Sequence, residues 1–204
     1  MGQNKPLELS GRVESFDVLA ILDKLHQDGE KFSLLKDTLC DVLSLDDILI
    51  SVAETELPGT NGKGDAKQRI RRCLLKKGGN FAQLGEFSDG TLVVVALLSA
   101  LLAQPRLGPL VCIEELENSL HPGAVAKLVR FLQEYSREQP VLLTTHSPYL
   151  LNGVDPDDVI VAVADQSGAT HFEKPSNRKA INGLLKRGYM SFGDLLATNF
   201  KDVL

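Results

Sequence analysis

Three short apolar runs, PLVCI (109–113), PVLLTT (140–145) and DVIVAVA (158–164), recur in the second half of the chain with helical stretches around them. A helix of about residues 89–103 precedes the first run, and one of about 122–138, with Pro122 in its first turn, separates the first from the second. Strands buried on both faces read as unbroken apolar runs, and parallel neighbours need a crossover, usually a helix. The pattern therefore predicts an α/β fold, a mainly parallel sheet flanked by helices. THFEK (170–174) is expected to pair with the third run at an edge, and the tail, 176–204, reads as two short helices.

The front of the chain is less regular. Residues 16–27 and 31–43 carry helical periodicity, with Gly29 between them. ILISVAE (48–54) and RIRRCLLKK (69–77) read as strands. Between them ELPGTNGKGDAKQ (56–68) reads as a loop, and Gly78 and Gly79 break the chain. The expected organisation is a small α+β region over 1–84, an α/β lobe over 85–175 and a helical tail over 176–204.

Composition narrows the class. With 204 residues, 43% hydrophobic and 24% charged, the chain suits one soluble domain or a large piece of one. A net charge of -5 argues against a surface that binds nucleic acid throughout, while leaving room for a local basic patch. Cys40, Cys73 and Cys112 are odd in number and widely spaced, which suits reduced thiols in a cytoplasmic protein. The longest apolar stretch, Leu92 to Ala103, is broken by Ser99 and falls short of the about 18 residues of a membrane span. No membrane partner is expected.

Four local patterns carry chemistry. FSDGT (87–91) opens the long apolar helix: Ser88 suits an N-cap, Gly90 permits close backbone approach, and free N–H groups at a helix start attract anions. An ordinary capped helix would look the same. LVCIEELEN (110–118) delivers Glu114 and Glu115 to the C-terminal end of an apolar strand, the edge where open α/β sheets bind ligands. Adjacent strand residues point to opposite sides, so one carboxylate can face a metal and the other a reacting water. A solvated acid pair explains less well why both follow four apolar residues. NSLHP (118–122) is built of turn formers and reads equally as a helix start. VLLTTHSPYLL (141–151) ends a buried strand in Thr144, Thr145 and His146, beside the acids if the two strands are neighbours.

In this order the four patterns resemble the C-terminal lobe of ABC-type ATPases, within the SMC/RecF/OLD-like (AAA_21-like) group, strongly over residues 85–165. The resemblance implies a P-loop NTPase fold, the C-terminal half of an ABC ATPase head. FSDGT looks like the ABC signature, whose Ser and Gly, here Ser88 and Gly90 around Asp89, contact the γ-phosphate of ATP held by the opposing subunit. LVCIEE looks like the Walker B strand, with Glu114 helping to hold Mg²⁺ and Glu115 as general base. Many relatives carry Asp at the first position, so Glu114 is a departure. ENSLHP resembles the D-loop region, with Asn118 and His121 near the nucleotide and the partner subunit, and His146 resembles the switch histidine. The implied cofactors are ATP and Mg²⁺. The implied partners are a second, head-to-head copy and a DNA or nuclease/toxin effector, in DNA repair or anti-phage defence.

One part of the pattern is missing. A phosphate loop reads G-x-x-x-x-G-K-[ST] between a strand and a helix. The nearest stretch, Gly59-Thr60-Asn61-Gly62-Lys63-Gly64-Asp65, has two residues between the first glycines and Gly64 in place of the hydroxyl. It reads as a flexible turn. The Walker A lobe is then expected from elsewhere: the chain is a truncated piece, which its abrupt start favours, or a natural half completed by another polypeptide. Alone, it is expected to bind ATP weakly and not to turn it over.

Lys67, Arg69, Arg71, Arg72, Lys76 and Lys77 form a basic stretch. On a strand, Lys67, Arg69 and Arg71 share one face, suiting either phosphate contacts or a solvated edge. Two function classes are open: an ATPase lobe, or a non-hydrolysing interaction module that keeps the fold. The joint presence of Ser88, Glu115 and His146 favours the first.

Overall fold

A computed structural model of the protein describes residues 17–57, 66–103, 110–118, 120–175, 181 and 191–198. Helix α1, Val18–Gln27, starts at Asp17, whose carboxylate accepts from the Ala20 amide at 3.1 Å. Asp28 ends α1 and caps α2, Gly29–Leu43, by accepting from the Lys31 amide. The break therefore falls at Asp28, and Gly29 opens the second helix two residues before the expected start. Ser44 closes α2 in the left-handed conformation, φ 53°.

Strand β1, Asp47–Leu57, pairs antiparallel with β2, Ala66–Lys77, from Asp47↔Lys76 to Leu57↔Ala66. Both strands reach into the expected loop, and residues 58–65, with the phosphate-loop lookalike, lie outside the described residues. The chain continues from them as strand β2, whereas the lysine of a phosphate loop opens a helix. Gly78 and Gly79, at φ 60° and 83°, turn the chain into β3, Asn80–Gln83. Positive φ at both central residues suits the twist of a tight hairpin, and glycine adopts it without Cβ strain.

Helix α3, Asp89–Ala103, keeps its expected bounds. Strands β4, Val111–Glu114, and β5, Val141–Thr144, pair in parallel, Glu114 opposite Thr144, with α4, Pro122–Tyr135, as the crossover. A short helix α5, Pro148–Leu151, comes next. Strand β6, Val161–Ala164, pairs antiparallel with β7, Thr170–Glu173, the expected edge hairpin. Helix α6, Phe192–Thr198, lies in the tail; the second helix expected there falls on residues outside those described.

The main hydrophobic core joins α1 to α5 with β1, β2, β4 and β5. Leu22 of α1, Leu39 of α2, Leu75 of β2, Leu98 of α3 and Leu128 of α4 are all fully buried within it. Helix α3 packs on both α1 and α2, which accounts for apolar residues on nearly all its sides. A smaller cluster of Val159, Ile181, Phe192, Leu195 and Leu196 docks α6.

Coverage of the parallel pair differs from expectation. Val111, Ile113, Val141 and Leu143 face the core. On the opposite face Cys112, Glu114, Leu142 and Thr144 are exposed, because among the described residues the helices pack on one side only.

Candidate functional site

Parallel pairing of β4 and β5 sets the site, since both strands end at one edge. Glu114 is the last residue of β4 and is exposed. The Glu115 amide still donates to the Thr144 carbonyl at 2.9 Å, but its φ of 46° turns the chain out of the sheet. A non-glycine residue there is uncommon and carries a cost of about 1–3 kcal/mol. Two bonds to Asn118 hold the turn: its amide donates to the Glu115 carbonyl at 3.0 Å, and its Nδ2 to Glu115 Oε2 at 2.6 Å. Across the gap, His146 Nε2 stands 3.9 Å from Glu115 Oε1. The imidazole is 91% exposed, so both groups are open to a ligand.

Glu117, which the ENSLHP pattern contains without giving it a role, ties the two strand ends together. Its Oε1 accepts from the Thr145 hydroxyl at 2.5 Å and from the His146 amide at 3.0 Å. Burial pushes this carboxyl up, but the Thr145 hydroxyl and the amides of Glu117, His146 and Ser147 outweigh it and hold the group below the usual carboxylate range.

A second group of expected residues meets elsewhere. Ser88 accepts from the Thr91 amide at 3.4 Å and lies 3.2 Å from the Thr91 hydroxyl, the N-cap role read from FSDGT. Ser88, Gly90 and Thr91 line an open cleft of about 450 Å³ with His121, Lys77 and Lys127. His121 caps α4, its Nδ1 accepting from the Gly123 amide at 3.1 Å, which leaves Nε2 for the cleft. Asp89 is exposed in the first turn of α3 and does not line the cleft. The two lysines serve the end of α2: Lys127 Nζ donates to the Asp41 carbonyl at 2.6 Å and pairs with its carboxylate at 2.9 Å, and Lys77 Nζ reaches the Leu43 carbonyl at 3.5 Å. Cations at a helix C-terminus are favourable there.

The expected sites thus fall into two sets, Glu114/Glu115/Asn118/His146 at the sheet edge and Ser88/Gly90/His121 at the cleft. Among the described residues no three His, Cys, Asp or Glu side chains gather as a metal cluster. No helix among them is long and apolar enough to cross a membrane. Within the basic stretch, Arg71 has a partner in the fold. Its Nε donates to Asp23 of α1 at 2.9 Å, and the same face of β2 carries buried Cys73 and Leu75. From Arg71 to Leu75 that side of the strand packs inward, so Arg71 serves the fold.

Comparison with known proteins bears on this geometry. The AAA_21 family, described as "AAA domain, putative AbiEii toxin, Type IV TA system", matches residues 8–152. No curated protein sequence matches. Among solved structures, a chain from work on ATP-driven dimerization and DNA-stimulated activation of SMC ATPases superposes with TM-score 0.54 at 14% identity, covering 85% of this chain and 96% of that one. The Smc head with an extended coiled coil from Pyrococcus furiosus, bound to the C-terminal domain of ScpA, gives TM-score 0.54 at 13% identity, over 80% of this chain. An SmcHead bound to the C-winged helix domain of ScpA gives 0.51 at 14%, over 81%. The chain spans only 39% and 51% of those last two. The shared fold is that of SMC ATPase heads.

Proposed function

The chain belongs to the AAA_21 family of AAA domains, and on that premise we propose that it is the signature-bearing half of an ABC-type ATPase head, acting with a phosphate-loop lobe supplied from outside these 204 residues. The observation that carries the reading is the convergence of Glu115 and His146 at the ends of two adjacent parallel strands. Each alone would be an ordinary strand-end residue. Together, at the C-terminal edge of an α/β sheet, they match what hydrolysis of a bound nucleotide's phosphoanhydride needs.

The residues fit ATP and Mg²⁺ by their chemistry. Mg²⁺ takes one or two carboxylates and completes its shell with water and phosphate oxygens, so a single exposed Glu114 suffices here. When bound, ATP with Mg²⁺ supplies an activated phosphoryl group whose transfer is catalysed by positioning and charge stabilisation. Glu115 accepts the proton of the attacking water, with Asn118 fixing its carboxylate. His146 donates to a phosphate oxygen. Ser88, Gly90 and His121 present a helix N-terminus and an imidazole in an open cleft, which suits the terminal phosphate of a nucleotide on a facing second copy.

The head-to-head homodimer, and coupling to DNA or to a nuclease or toxin in DNA repair or anti-phage defence, belong to this proposal. Support for them comes from the toxin named in the family's description and from the ATP-driven dimerization and DNA stimulation named for the similar SMC ATPase. The exposed face with Cys112 and Leu142 offers a surface for the second lobe.

Calorimetric titration of ATP tests the division of labour. This chain alone is expected to bind weakly, with no micromolar affinity, and a head that includes a phosphate loop to bind tightly. Micromolar binding by the isolated chain would refute the need for the second lobe.

A further inference from the structure

We propose that Glu117 is a positioning residue for His146, fixing the turn out of β5 so that the imidazole stands beside Glu115. The inference deepens the ATPase reading and rests on it for its catalytic consequence. Its basis is that His146 has almost nothing else to place it. The side chain is 91% exposed, and among the described residues its nearest charged partner, Glu115, lies 3.9 Å away, too far for a hydrogen bond. An imidazole in that state takes its position from its own backbone.

That backbone is held through one carboxylate oxygen. Oε1 of Glu117 accepts from the Thr145 hydroxyl and the His146 amide. The Thr145 hydroxyl oxygen in turn accepts from the Ser147 amide at 2.9 Å. Three consecutive residues are thereby referred to one atom. Glu117 itself sits in the turn that carries Glu115, its carbonyl accepting from the Leu120 amide at 3.0 Å next to the Asn118 bonds. The base-bearing and histidine-bearing segments therefore move as one unit. Bonds from donors to an ionised acceptor are the stronger kind, and the acid is held ionised by the same donors. Oε2 is buried and has no hydrogen-bond partner among the described residues, so glutamine in place of Glu117 sacrifices no bond there.

The test has two arms. In a complete head, Glu117→Ala is expected to lower kcat about 10-fold or more while KM for ATP changes less than about 3-fold, and Glu117→Gln to recover most of the loss. Combined with His146→Ala, Glu117→Ala should add little, because residues acting through one another are non-additive. Multiplicative losses, or a change confined to melting temperature, would overturn the inference. On this chain without nucleotide, Glu117→Ala should speed amide exchange at His146 and Ser147 while leaving α4 unchanged; unaltered exchange at those two amides overturns it as well. If Glu115→Gln and His146→Ala themselves leave ATP turnover intact, the ATPase reading is what fails, and the exchange arm still decides whether Glu117 positions the turn.

Discussion

Oε1 of Glu115 and Nε2 of His146 stand 3.9 Å apart across the ends of β4 and β5, and both are reachable from solvent. The left-handed turn at Glu115 and the Asn118 bond hold the carboxylate in that place at a conformational cost. Glu115→Gln keeps an oxygen for Asn118 and removes the proton acceptor. In a complete head it is expected to reduce kcat about 100-fold or more and leave ATP binding intact, as loss of a general base does. Nucleotide-loaded heads should then accumulate as dimers, read by light scattering with ATP. An unchanged turnover and mass would place the chain among non-hydrolysing interaction modules.

Asp23 and Arg71 link α1 to β2 at 2.9 Å, the aspartate nearly buried and the arginine 28% exposed. Asp23 also accepts from Gln27 Nε2 at 3.4 Å. Removing one partner of a buried pair costs far more than removing one at the surface, because the other charge stays out of water. Arg71→Ala is expected to lower stability by about 3 kcal/mol, against about 0–1 kcal/mol for an exposed pair. Urea unfolding gives the number; a loss under about 1 kcal/mol means water reaches the pair and screens it.

These two pairs differ in how legible they are. Apolar runs and the Ser88 cap mark the bounds of α3 and the neighbouring strands β4 and β5, so the approach of Glu115 to His146 is a consequence of parallel pairing. Arg71 is harder to read, since a basic residue on a strand suits an open edge as well as an inward partner. Only the structure shows Cys73 and Leu75 buried at the same parity and Asp23 as the partner inside. Glu117 has no such signal: its partners Thr145 and His146 lie 28 and 29 residues away, and no periodicity encodes a tertiary hydrogen bond. Strand β3 escapes a sequence reading because four residues carry too little alternation; its place depends on the two-glycine turn.

Asp165 organises the β6–β7 hairpin. Its carboxylate accepts from the Ser167 hydroxyl and amide, the Ala169 amide and the His171 ring. Those donors, the Ser167 hydroxyl first and His171 next, hold it down at about 2. A depressed carboxyl stabilises the fold above its ordinary value near 3.8, and that contribution fades as pH falls toward about 2. Amide exchange at Ser167 and Ala169 should accelerate over that interval, and Asp165→Asn should flatten the dependence. A hairpin whose exchange follows only the intrinsic pH trend would show the bonds to be unimportant.

Gly193 in α6 lies directly against Pro148, the first residue of α5 and two residues beyond His146. A Cβ built at Gly193 would fall 2.1 Å from the Pro148 carbonyl oxygen and 2.6 Å from its Cα, both backbone atoms with no room to yield. The Gly193 amide donates to Asn152 Oδ1 at 2.8 Å, which fixes the approach. Gly193→Ala must therefore push α6 away from α5, at an overpacking cost of about 1–3 kcal/mol. Phe192 and Leu195 would lose burial in the smaller core, and that local unit should open before the main one. Amide exchange should rise across 192–198 and at α5, with α1 to α4 unchanged. If exchange rises throughout the chain, the two cores unfold together and α6 is part of the main cooperative unit.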